Sequence, residues 1–245
     1  MEAVVIIALI TCLAIAIRSA FFKKAEKASL SPARPESQST SVPATIQPKV
    51  LDADLTAFLP EQFVVLDLET TGLSASRDEI IEIGAIRVTL GSDQQLAFST
   101  LVKPLKRIPR EITEITGITQ GMVDEDGIES ADAFSRFIEF IGDMPLVTYN
   151  AEFDMAFLWE TAKRHGVTMN NRYTCALKRA RRAWPGLSSY KLVNMAKMGH
   201  LSDEDPHRAL GDCKRALIVF TASTSTLGQK VRWSKPPAQI GEQLQ

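Results

Sequence analysis

The feature that most constrains how this chain can fold is an apolar run, residues 63–70, that carries acids at two alternate positions. Its sequence is FVVLDLET, with Asp67 and Glu69 as the acids, and a glycine follows two residues later. A run this apolar and this rich in β-branched residues predicts a buried strand that ends in a turn. Because side chains alternate along a strand, Asp67 and Glu69 lie on one face about 7 Å apart, and the neighbouring leucines pack on the other.

Two carboxylates on one face of a buried strand require positive charge nearby. Each raises the pKa of the other, and both stay partly protonated unless cations or basic groups neutralise them. Mg²⁺ and Mn²⁺ prefer oxygen ligands and bind through a few carboxylates, waters and substrate phosphate, so an Asp-x-Glu pair suits them. The same pair also occurs on solvated strand edges with no metal, and the metal hypothesis therefore needs further acids elsewhere in the chain.

Those acids occur in two later motifs. The sequence NAEFD begins at Asn150 and ends at Asp154, and HRALGD begins at His207 and ends at Asp212. Together with the first motif, DLETTG from Asp67, they resemble in kind and in order the three motifs of the DEDDh exonucleases, the family that includes the proofreading epsilon subunit of bacterial DNA polymerase III, RNase T and oligoribonuclease. The resemblance covers about residues 60–224, and motifs of this length rarely coincide by chance.

The resemblance implies a fold and a set of site residues. The fold is a ribonuclease H-like α/β exonuclease fold, with a mixed five-stranded sheet flanked by helices. Two divalent ions, Mg²⁺ or Mn²⁺, are expected in each active site. The chain departs from the family at residues 173–175, which read Tyr-Thr-Cys where members often carry an Asp-Thr pair. The implied metal ligands are Asp67, Glu69, Asp154 and Asp212; the implied general base is His207; and the implied substrate-binding residues are Thr70, Thr71, Gly72 and Asn150.

The implied activity is hydrolysis of phosphodiester bonds from the 3′ end of a nucleic acid, with release of nucleoside monophosphates. We expect single-stranded DNA as the substrate and a DNA polymerase or repair protein as a partner, although the C-terminal tail shows no clamp-binding motif. An exonuclease that trims RNA or degrades short RNA is the alternative, because the motifs contain no visible reader of the 2′-hydroxyl. A catalytically silent nucleic-acid-binding domain is a third interpretation, and the complete set of four acids and a histidine argues against it.

The net charge and the cysteines limit which ligands, cross-links and compartments the sequence fits. The net charge is −1, so no overall basic field indicates nucleic-acid binding. Two local basic clusters either steer phosphates or are ordinary solvated faces. The first consists of Lys178, Arg179, Arg181 and Arg182, and the second of Lys103, Lys106, Arg107 and Arg110. The three cysteines are scattered without Cys-x-x-Cys spacing, which argues against a zinc site or a disulfide framework and fits a reducing compartment.

The N-terminal part predicts a membrane contact through residues 3–22. Residues 3–17 are uncharged and mainly aliphatic, and with the next five they reach about 30 Å as a helix, enough to span a hydrocarbon core if Arg18 reaches the headgroups. Basic residues follow the run, so the positive-inside rule predicts a single-pass protein with its catalytic domain on the cytoplasmic side. A cleaved signal peptide is the rival, since residues 14–16 read Ala-Ile-Ala, but Glu2 and the lack of an N-terminal Lys or Arg oppose it.

The predicted organisation is one domain with appendages. The anchor spans residues 1–24, a flexible linker rich in Ser, Pro and Ala spans 25–59, the exonuclease domain spans 60–225, and a polar tail, expected to be disordered, spans 226–245. Within the domain, apolar periodicity predicts strands at 80–88, 96–102 and 145–149, helices at 130–141, 153–165, 177–182, 188–198 and 206–223, and a loop at 118–126.

Overall fold

The computed structural model describes residues 45–46, 53–198 and 207–237. The predicted membrane anchor, residues 3–22, lies outside this part of the chain, and so does most of the predicted linker. None of the helices in the described part has the length and hydropathy that a membrane span requires.

A mixed sheet forms the centre of the domain. Its strands among the described residues, in chain order, are β1 (Thr45–Ile46), β2 (Gln62–Thr70), β3 (Ile80–Thr89), β4 (Gln95–Lys103), β5 (Ile128–Glu129), β6 (Leu146–Thr148) and β7 (Tyr173–Cys175). The order across the sheet is β1-β4-β3-β2-β6-β7, and β5 pairs with β4. Strands β2, β3 and β4 are antiparallel neighbours, whereas β6 and β7 continue parallel to β2. The carboxyl ends of β2, β6 and β7 therefore meet at one edge of the sheet, which we name the site edge.

The sequence predicted a five-stranded sheet, and the structure adds two short strands to it. Strands β2, β3, β4 and β6 lie where the apolar runs indicated, and β7 occupies residues 173–175, where the Asp-Thr pair is missing. Strand β1 extends the sheet beside β4, so six strands follow one another across it, and β5 pairs with the end of β4. Both additional strands have two residues, which is too short for a periodic pattern to reveal.

Seven α-helices surround the sheet in the described part of the chain, which also has a 3₁₀ helix at Ala53–Ala57. The α-helices are α1 (Arg110–Thr116), α2 (Gln120–Asp126), α3 (Ser130–Ile141), α4 (Ala151–His165), α5 (Ala176–Ala183), α6 (Leu192–Met198) and α7 (Ala209–Leu227). The helix predicted at 130–141 is confirmed at both ends by α3. The loop predicted at 118–126 is wrong, because α2 begins there with a cap in which the N–H of Met122 donates to Oγ1 of Thr119 at 3.2 Å.

The two faces of β2 belong to different layers of the domain. Phe63 and Val65 pack in an apolar cluster with α5 and α7, whereas Val64 packs in a second cluster with α3 and α4. Asp67 and Glu69 continue the row of Phe63 and Val65, because they lie at the same alternate positions of the strand. Both acids therefore project into the layer that contains α7.

Helix α7 approaches β3 most closely at Gly84. A β-carbon on Gly84 would lie 2.5 Å from the carbonyl carbon of Ala209 and 2.6 Å from the nitrogen of Leu210. Gly84 also pairs across the sheet with Asp67. The missing side chain thus lets the first turn of α7 rest directly on the sheet beside the first acid, a close approach that only glycine permits.

Part of the predicted polar tail packs on the domain. Helix α7 continues through Leu227, and beyond it Val231 is buried and its N–H donates to the carbonyl of Phe58 at 3.1 Å. Ser234 and Tyr173 exchange two backbone hydrogen bonds, of 3.0 and 2.7 Å, beside β7. The expectation that the tail is disordered from residue 226 therefore does not hold for these residues. They are held on the domain by backbone hydrogen bonds and by one buried apolar side chain, and no apolar run in the sequence indicates this.

Candidate metal and catalytic site

The first two predicted metal ligands lie near the carboxyl end of β2. Asp67 pairs across the sheet with Gly84, and Glu69 pairs with Glu82. The register shifts between Glu69 and Thr70, so the pairing is irregular just after the two acids. Both acidic side chains are half-buried, and both face the layer of α7.

Helix α7 brings the third predicted ligand, Asp212, to this point in its first turn. Carboxylate oxygens of Asp67, Glu69 and Asp212 all lie within 4.8 Å of one another. Arg215, which is also buried, donates from Nη1 to Oδ1 of Asp212 at 2.8 Å. Because this pair spans less than one helical turn, the arginine orients the carboxylate from within the same helix.

The fourth predicted ligand, Asp154, comes from the connection after β6. It lies in the first turn of α4 and is 4% exposed. The hydroxyl of Thr148, the last residue of β6, donates to its Oδ2 at 2.8 Å. After burial, the charge of Asp154 is the largest cause that raises the pKa of Asp67, so the two carboxyls are close neighbours. The structure thus places three of the four predicted ligands in one compact group and the fourth beside it.

Burial and mutual repulsion dominate the electrostatics of Asp67, Glu69 and Asp154. Burial, followed by repulsion from Asp154 and Asp212, raises the pKa of Asp67 well above its usual range. Burial, followed by repulsion from Asp212 and Glu82, raises the pKa of Glu69 to about 8. Burial raises the pKa of Asp154 to about 7, although the hydrogen bond from Thr148 opposes the change. These carboxyls therefore hold protons near neutral pH unless cations join them.

The chemistry of the donor set fits a hard divalent cation. All the predicted ligands are carboxylates, and Mg²⁺ and Mn²⁺ prefer such oxygen donors to thiolate or imidazole. A dication among them would offset the mutual repulsion and allow all the carboxyls to ionise. The residues present therefore suit the magnesium or manganese site that the sequence motifs implied.

A fifth carboxylate, Glu82, stands beside the group and was not predicted. It is 1% exposed, and its charge contributes to the raised pKa values of Asp67 and Glu69. Arg208 pairs with it, through Nη2 at 2.7 Å and Nε at 3.1 Å. The N–H of Ala209 donates to Oε2 of Glu82 at 2.9 Å. Because Ala209 is the first residue of α7, this hydrogen bond holds the start of that helix against β3.

His207, the predicted general base, lies in the turn immediately before Arg208 and Ala209, the two residues that contact Glu82. It is half-buried and has a φ of 61°, and no other non-glycine residue of the described ranges has a positive φ. Such a backbone conformation costs energy for a residue with a β-carbon and persists only where neighbouring contacts impose it. The charge of His207 lowers the pKa of Asp212, which places the imidazole near the carboxylate group.

The predicted substrate-binding residues divide into two kinds. The hydroxyl of Thr70 donates to the carbonyl of Gly72 at 2.6 Å, and the hydroxyl of Thr71 accepts from the N–H of Glu79 at 2.9 Å. Both threonines are buried, so their hydroxyls hold the loop after β2 in shape. Asn150 is exposed at the start of α4 and makes no side-chain cap bond there, which leaves its amide at the site edge.

Sequence reasoning missed the residues that hold the ligands in place, namely Thr148, Glu82, Arg208 and Arg215. Three of them could have been singled out from the sequence. Glu82 is a lone acid inside an apolar run, Arg208 lies within the third motif, and Arg215 stands three residues after Asp212 on a predicted helix. Thr148 could not, because its contact with Asp154 depends on how β6 and α4 meet.

The second predicted basic cluster contacts loops of the protein itself. The backbone N–H of Lys106 donates to the Glu79 carboxylate at 3.0 Å, and its Nζ donates to the carbonyl of Arg77 at 3.2 Å. Arg110 pairs with Glu114 at 2.8 Å across one turn of α1. Lys106 therefore connects the loop after β4 to the loop after β2, and Arg110 pairs within its own helix.

Comparison with known proteins adds a family match. The RNase_T family model, described as exonuclease, matches residues 64–220. The DNA polymerase III subunit epsilon of Aquifex aeolicus is 38% identical over 160 residues, which cover 64% of this chain and 78% of that protein. The PolC-type DNA polymerase III of Clostridium perfringens is 41% identical over 172 residues, 70% of this chain. The chain spans only 12% of the length of that polymerase.

Solved structures show the same fold. Exonuclease X in complex with 5′ overhanging duplex DNA superposes with a TM-score of 0.52 at 28% identity, over 69% of this chain and 94% of that one. Exonuclease I of E. coli in complex with a dA16 oligonucleotide superposes with a TM-score of 0.58 at 20% identity, over 68% of this chain and 41% of that one.

Proposed function

The chain belongs to the RNase_T exonuclease family, and from this membership we propose that it is a metal-dependent 3′–5′ exonuclease that acts on single-stranded DNA. The observation that carries the proposal is the group formed by Asp67, Glu69 and Asp212, whose oxygens lie within 4.8 Å of one another. Asp154 and His207 stand beside this group. DNA is the favoured substrate because the relatives include DNA polymerase subunits, and the related exonuclease X binds DNA.

The four acids, Asp67, Glu69, Asp154 and Asp212, would hold two Mg²⁺ or Mn²⁺ ions. When bound, such ions supply charge stabilisation for the attacking and the leaving oxygen of an in-line phosphodiester hydrolysis. The chain's own contribution is to hold four carboxylates at fixed positions on three elements. Arg215 and Thr148 orient two of these carboxylates by direct hydrogen bonds, and such contacts keep a ligand in its productive rotamer.

His207 is the general base of the proposed reaction. Its imidazole accepts a proton from the attacking water as the water oxygen bonds to the terminal phosphorus. The bond between that phosphorus and the 3′-oxygen of the preceding nucleotide breaks. A nucleoside 5′-monophosphate leaves, and the shortened strand keeps a 3′-hydroxyl. Histidine is the residue that most often performs this task in enzymes.

The test uses a single-stranded DNA oligonucleotide labelled at its 5′ end. In Mg²⁺ or Mn²⁺ the label should pass through every shorter length in turn, and a chelator should stop the reaction. The variants Asp67→Asn and Asp212→Asn should be inactive while they remain folded. Products from a circular single strand, or full activity in excess chelator, would contradict the proposal. A matched RNA oligonucleotide degraded faster than the DNA would replace DNA with RNA as the substrate.

We also propose a cellular setting from the sequence of the N-terminal part. Residues 3–22 would anchor the protein in a membrane, and the linker would hold the catalytic domain on the cytoplasmic side. A DNA polymerase or repair protein is the proposed partner, and the support for it is the likeness to polymerase III subunits.

A further inference from the structure

The charges of the chain are unevenly distributed along it. The whole chain has a net charge of −1, yet residues 161–202 contain nine Lys and Arg and no Asp or Glu. This acid-free segment includes β7, α5 and α6. A stretch with one sign of charge attracts polyanions when it lies beside a cleft that handles them. The position of its cations relative to the site edge therefore decides whether they can meet the substrate.

Helix α5 starts at the site edge. Strand β7 is parallel to β6, so its last residue, Cys175, lies at the same edge as Thr148, and α5 begins at the next residue. An ion pair confirms the proximity, because Nζ of Lys178 lies 2.6 Å from the carboxylate of Glu152. Glu152 is only two residues before Asp154 in the first turn of α4. The first turn of α5 is thus adjacent to the proposed metal site.

The cations of α5 divide between the protein interior and the surface. Arg179 is buried and donates to Oγ1 of Thr224 at 2.9 Å and to the carbonyl of Gln229 at 2.8 Å. Arg182 is exposed and donates to the side chain of Gln229 at 3.1 Å. Both arginines therefore fasten α5 to α7 and the residues after it. Arg179 is therefore not available to a ligand, and Arg182 contacts Gln229, beyond α7, instead of the start of α4.

The other two cations of α5, Lys178 and Arg181, are exposed. Arg181 is exposed, and its guanidinium carbon lies 5.7 Å from the centre of the Tyr190 ring. The carbonyl of Tyr190 accepts a hydrogen bond from the hydroxyl of Tyr149, which directly precedes Asn150. Lys191 follows and is exposed. Lys178, Arg181 and Lys191 thus form an exposed group, which we name the basic face, that continues from the start of α4.

We infer that the basic face binds the sugar-phosphate backbone of the single strand on the 5′ side of the bond that is cut. The inference rests on the proposed function and extends it. Cations on a helix face that borders an active site neutralise phosphates without reading bases, so they add affinity and no sequence preference. The ion pair with Glu152 does not prevent this role, because both of its side chains are more than half exposed and such pairs are weak.

The test compares two double variants that remove the same charges. The first is Lys178→Gln/Arg181→Gln on the basic face. The control is Lys163→Gln/Arg172→Gln, which are exposed at the far end of α4 and just before β7, at the opposite edge of the sheet. Helix α4 has fifteen residues and therefore separates the two edges by about 22 Å. Equal melting temperatures of the variants and the wild type would verify that all are folded.

Binding is measured first, in a chelator, by fluorescence anisotropy of a labelled single strand of about 16 nucleotides, a length within the site sizes of single-strand-binding proteins. The basic-face variant should bind at least about tenfold more weakly in low salt, and the slope of log K against log salt should become shallower by about 1.4, the value for two phosphate contacts. The control should match the wild type. Glu152→Gln should tighten binding, because it frees Lys178.

Turnover is measured next on the same strand and on a dinucleotide. The basic-face variant should lose about tenfold or more in kcat/KM on the long strand and keep its turnover of the dinucleotide, which is too short to reach the basic face. An unchanged salt slope, or equal losses on both substrates, would overturn the inference. If the wild type failed to cut either substrate, the proposed function would fail, and the binding comparison would still decide the role of the basic face.

Discussion

Among the buried acids near the site, Glu82 differs from Glu69 in how its charge is balanced. Glu82 forms a close pair with Arg208, with a shortest distance of 2.7 Å. The same arginine lowers the pKa of Glu69 only slightly against burial and three carboxylates, and that pKa still reaches about 8. Of these two acids, which pair across the sheet, Glu82 is therefore balanced by an arginine, whereas the pKa of Glu69 stays raised.

Substitution of Glu82 by Gln should destabilise the domain and lower its turnover. The amide keeps the shape of the side chain but removes the carboxylate that accepts from Arg208 and from the N–H of Ala209, and we expect a loss of about 1–3 kcal/mol in the free energy of unfolding. The start of α7 would loosen, so Asp212 and His207 would be held less firmly. Denaturant unfolding and turnover of a labelled oligonucleotide measure the two effects. The exposed Glu129→Gln serves as the control, and an equal response of the two variants would contradict the role of Glu82.

Substitution of His207 by Ala should separate the general base from the metal ligands. Loss of the base should lower turnover by roughly 10²–10⁴-fold. Affinity for Mn²⁺, measured by titration calorimetry, should change little, because the carboxylates remain. If His207→Ala lost metal affinity as severely as Asp67→Asn, His207 would be a ligand instead of a base.

The raised pKa values predict that the metal-free domain loses stability as the pH rises. In the folded domain the pKa of Glu69 is about 8 and that of Asp154 is about 7, whereas in the unfolded chain both carboxyls titrate near pH 4. Between these limits the folded state binds more protons than the unfolded state, so the free energy of unfolding falls as the pH increases. In a chelator, the melting temperature of the wild type should therefore decline between about pH 5 and about pH 8. The decline should be smaller in the variant Glu69→Gln, which lacks one of these groups.

Added Mn²⁺ should reverse this decline. The ion binds the ionised carboxylates of the folded state, and its stabilising effect should be largest where the metal-free domain is weakest, near pH 8. The melting temperatures of the metal-free wild type and of Glu69→Gln should depend on pH differently. An identical dependence would contradict the raised pKa of Glu69.

At the scale of elements, the contact between α7 and β3 determines whether the acids meet. It depends on Gly84, because an added β-carbon would lie 2.5 Å from the backbone of Ala209. Gly84→Ala should cost about 1–3 kcal/mol of stability through overpacking, and it should weaken metal binding because Asp212 moves away from Asp67. Gly121→Ala in α2 is the control, since its β-carbon would meet only the Thr119 hydroxyl at 3.8 Å. Unchanged metal affinity in Gly84→Ala would show that α7 can shift without consequence.

The elements that the sequence predicted best are those with a long apolar stripe. Helix α3 carries Phe134, Phe137 and Ile141 on one buried face, and its predicted bounds agree with the structure. Strand β2 was found because its apolar run is continuous. Helices α1 and α2 each bury a single side chain of their own and have only seven residues, so tertiary contacts and caps define them rather than periodicity.

The sequence predicted the residues of the site but not the contacts that bring them together. The three motifs name Asp67, Asp154 and Asp212, because the types and spacings of their residues are specific. No spacing along the chain indicates that Gly84 admits α7, or that Glu82 fixes its first residue. These features arise from contacts between segments more than one hundred residues apart, such as the 127 residues between Glu82 and Ala209.

At the scale of the whole molecule, the proposed anchor makes a prediction about location. Residues 3–22 are mainly apolar, and Arg18 is the only charged residue among them. We therefore expect the full-length protein to sediment with membranes and to resist extraction by high salt, because the hydrophobic effect that holds such a helix is not screened. Protease added from the cytoplasmic side should remove the catalytic domain. A soluble, exported protein that begins near residue 17 would show instead that the run is a cleaved signal.

The hydrogen bond between Phe58 and Val231 holds the segment that precedes β2 against the segment that follows α7. Donor and acceptor lie 3.1 Å apart. A domain whose first and last segments lie side by side can be inserted into a loop of a host protein without stretching the host. The related part of the PolC-type polymerases amounts to 12% of their length. The geometry of this junction is compatible with such an insertion.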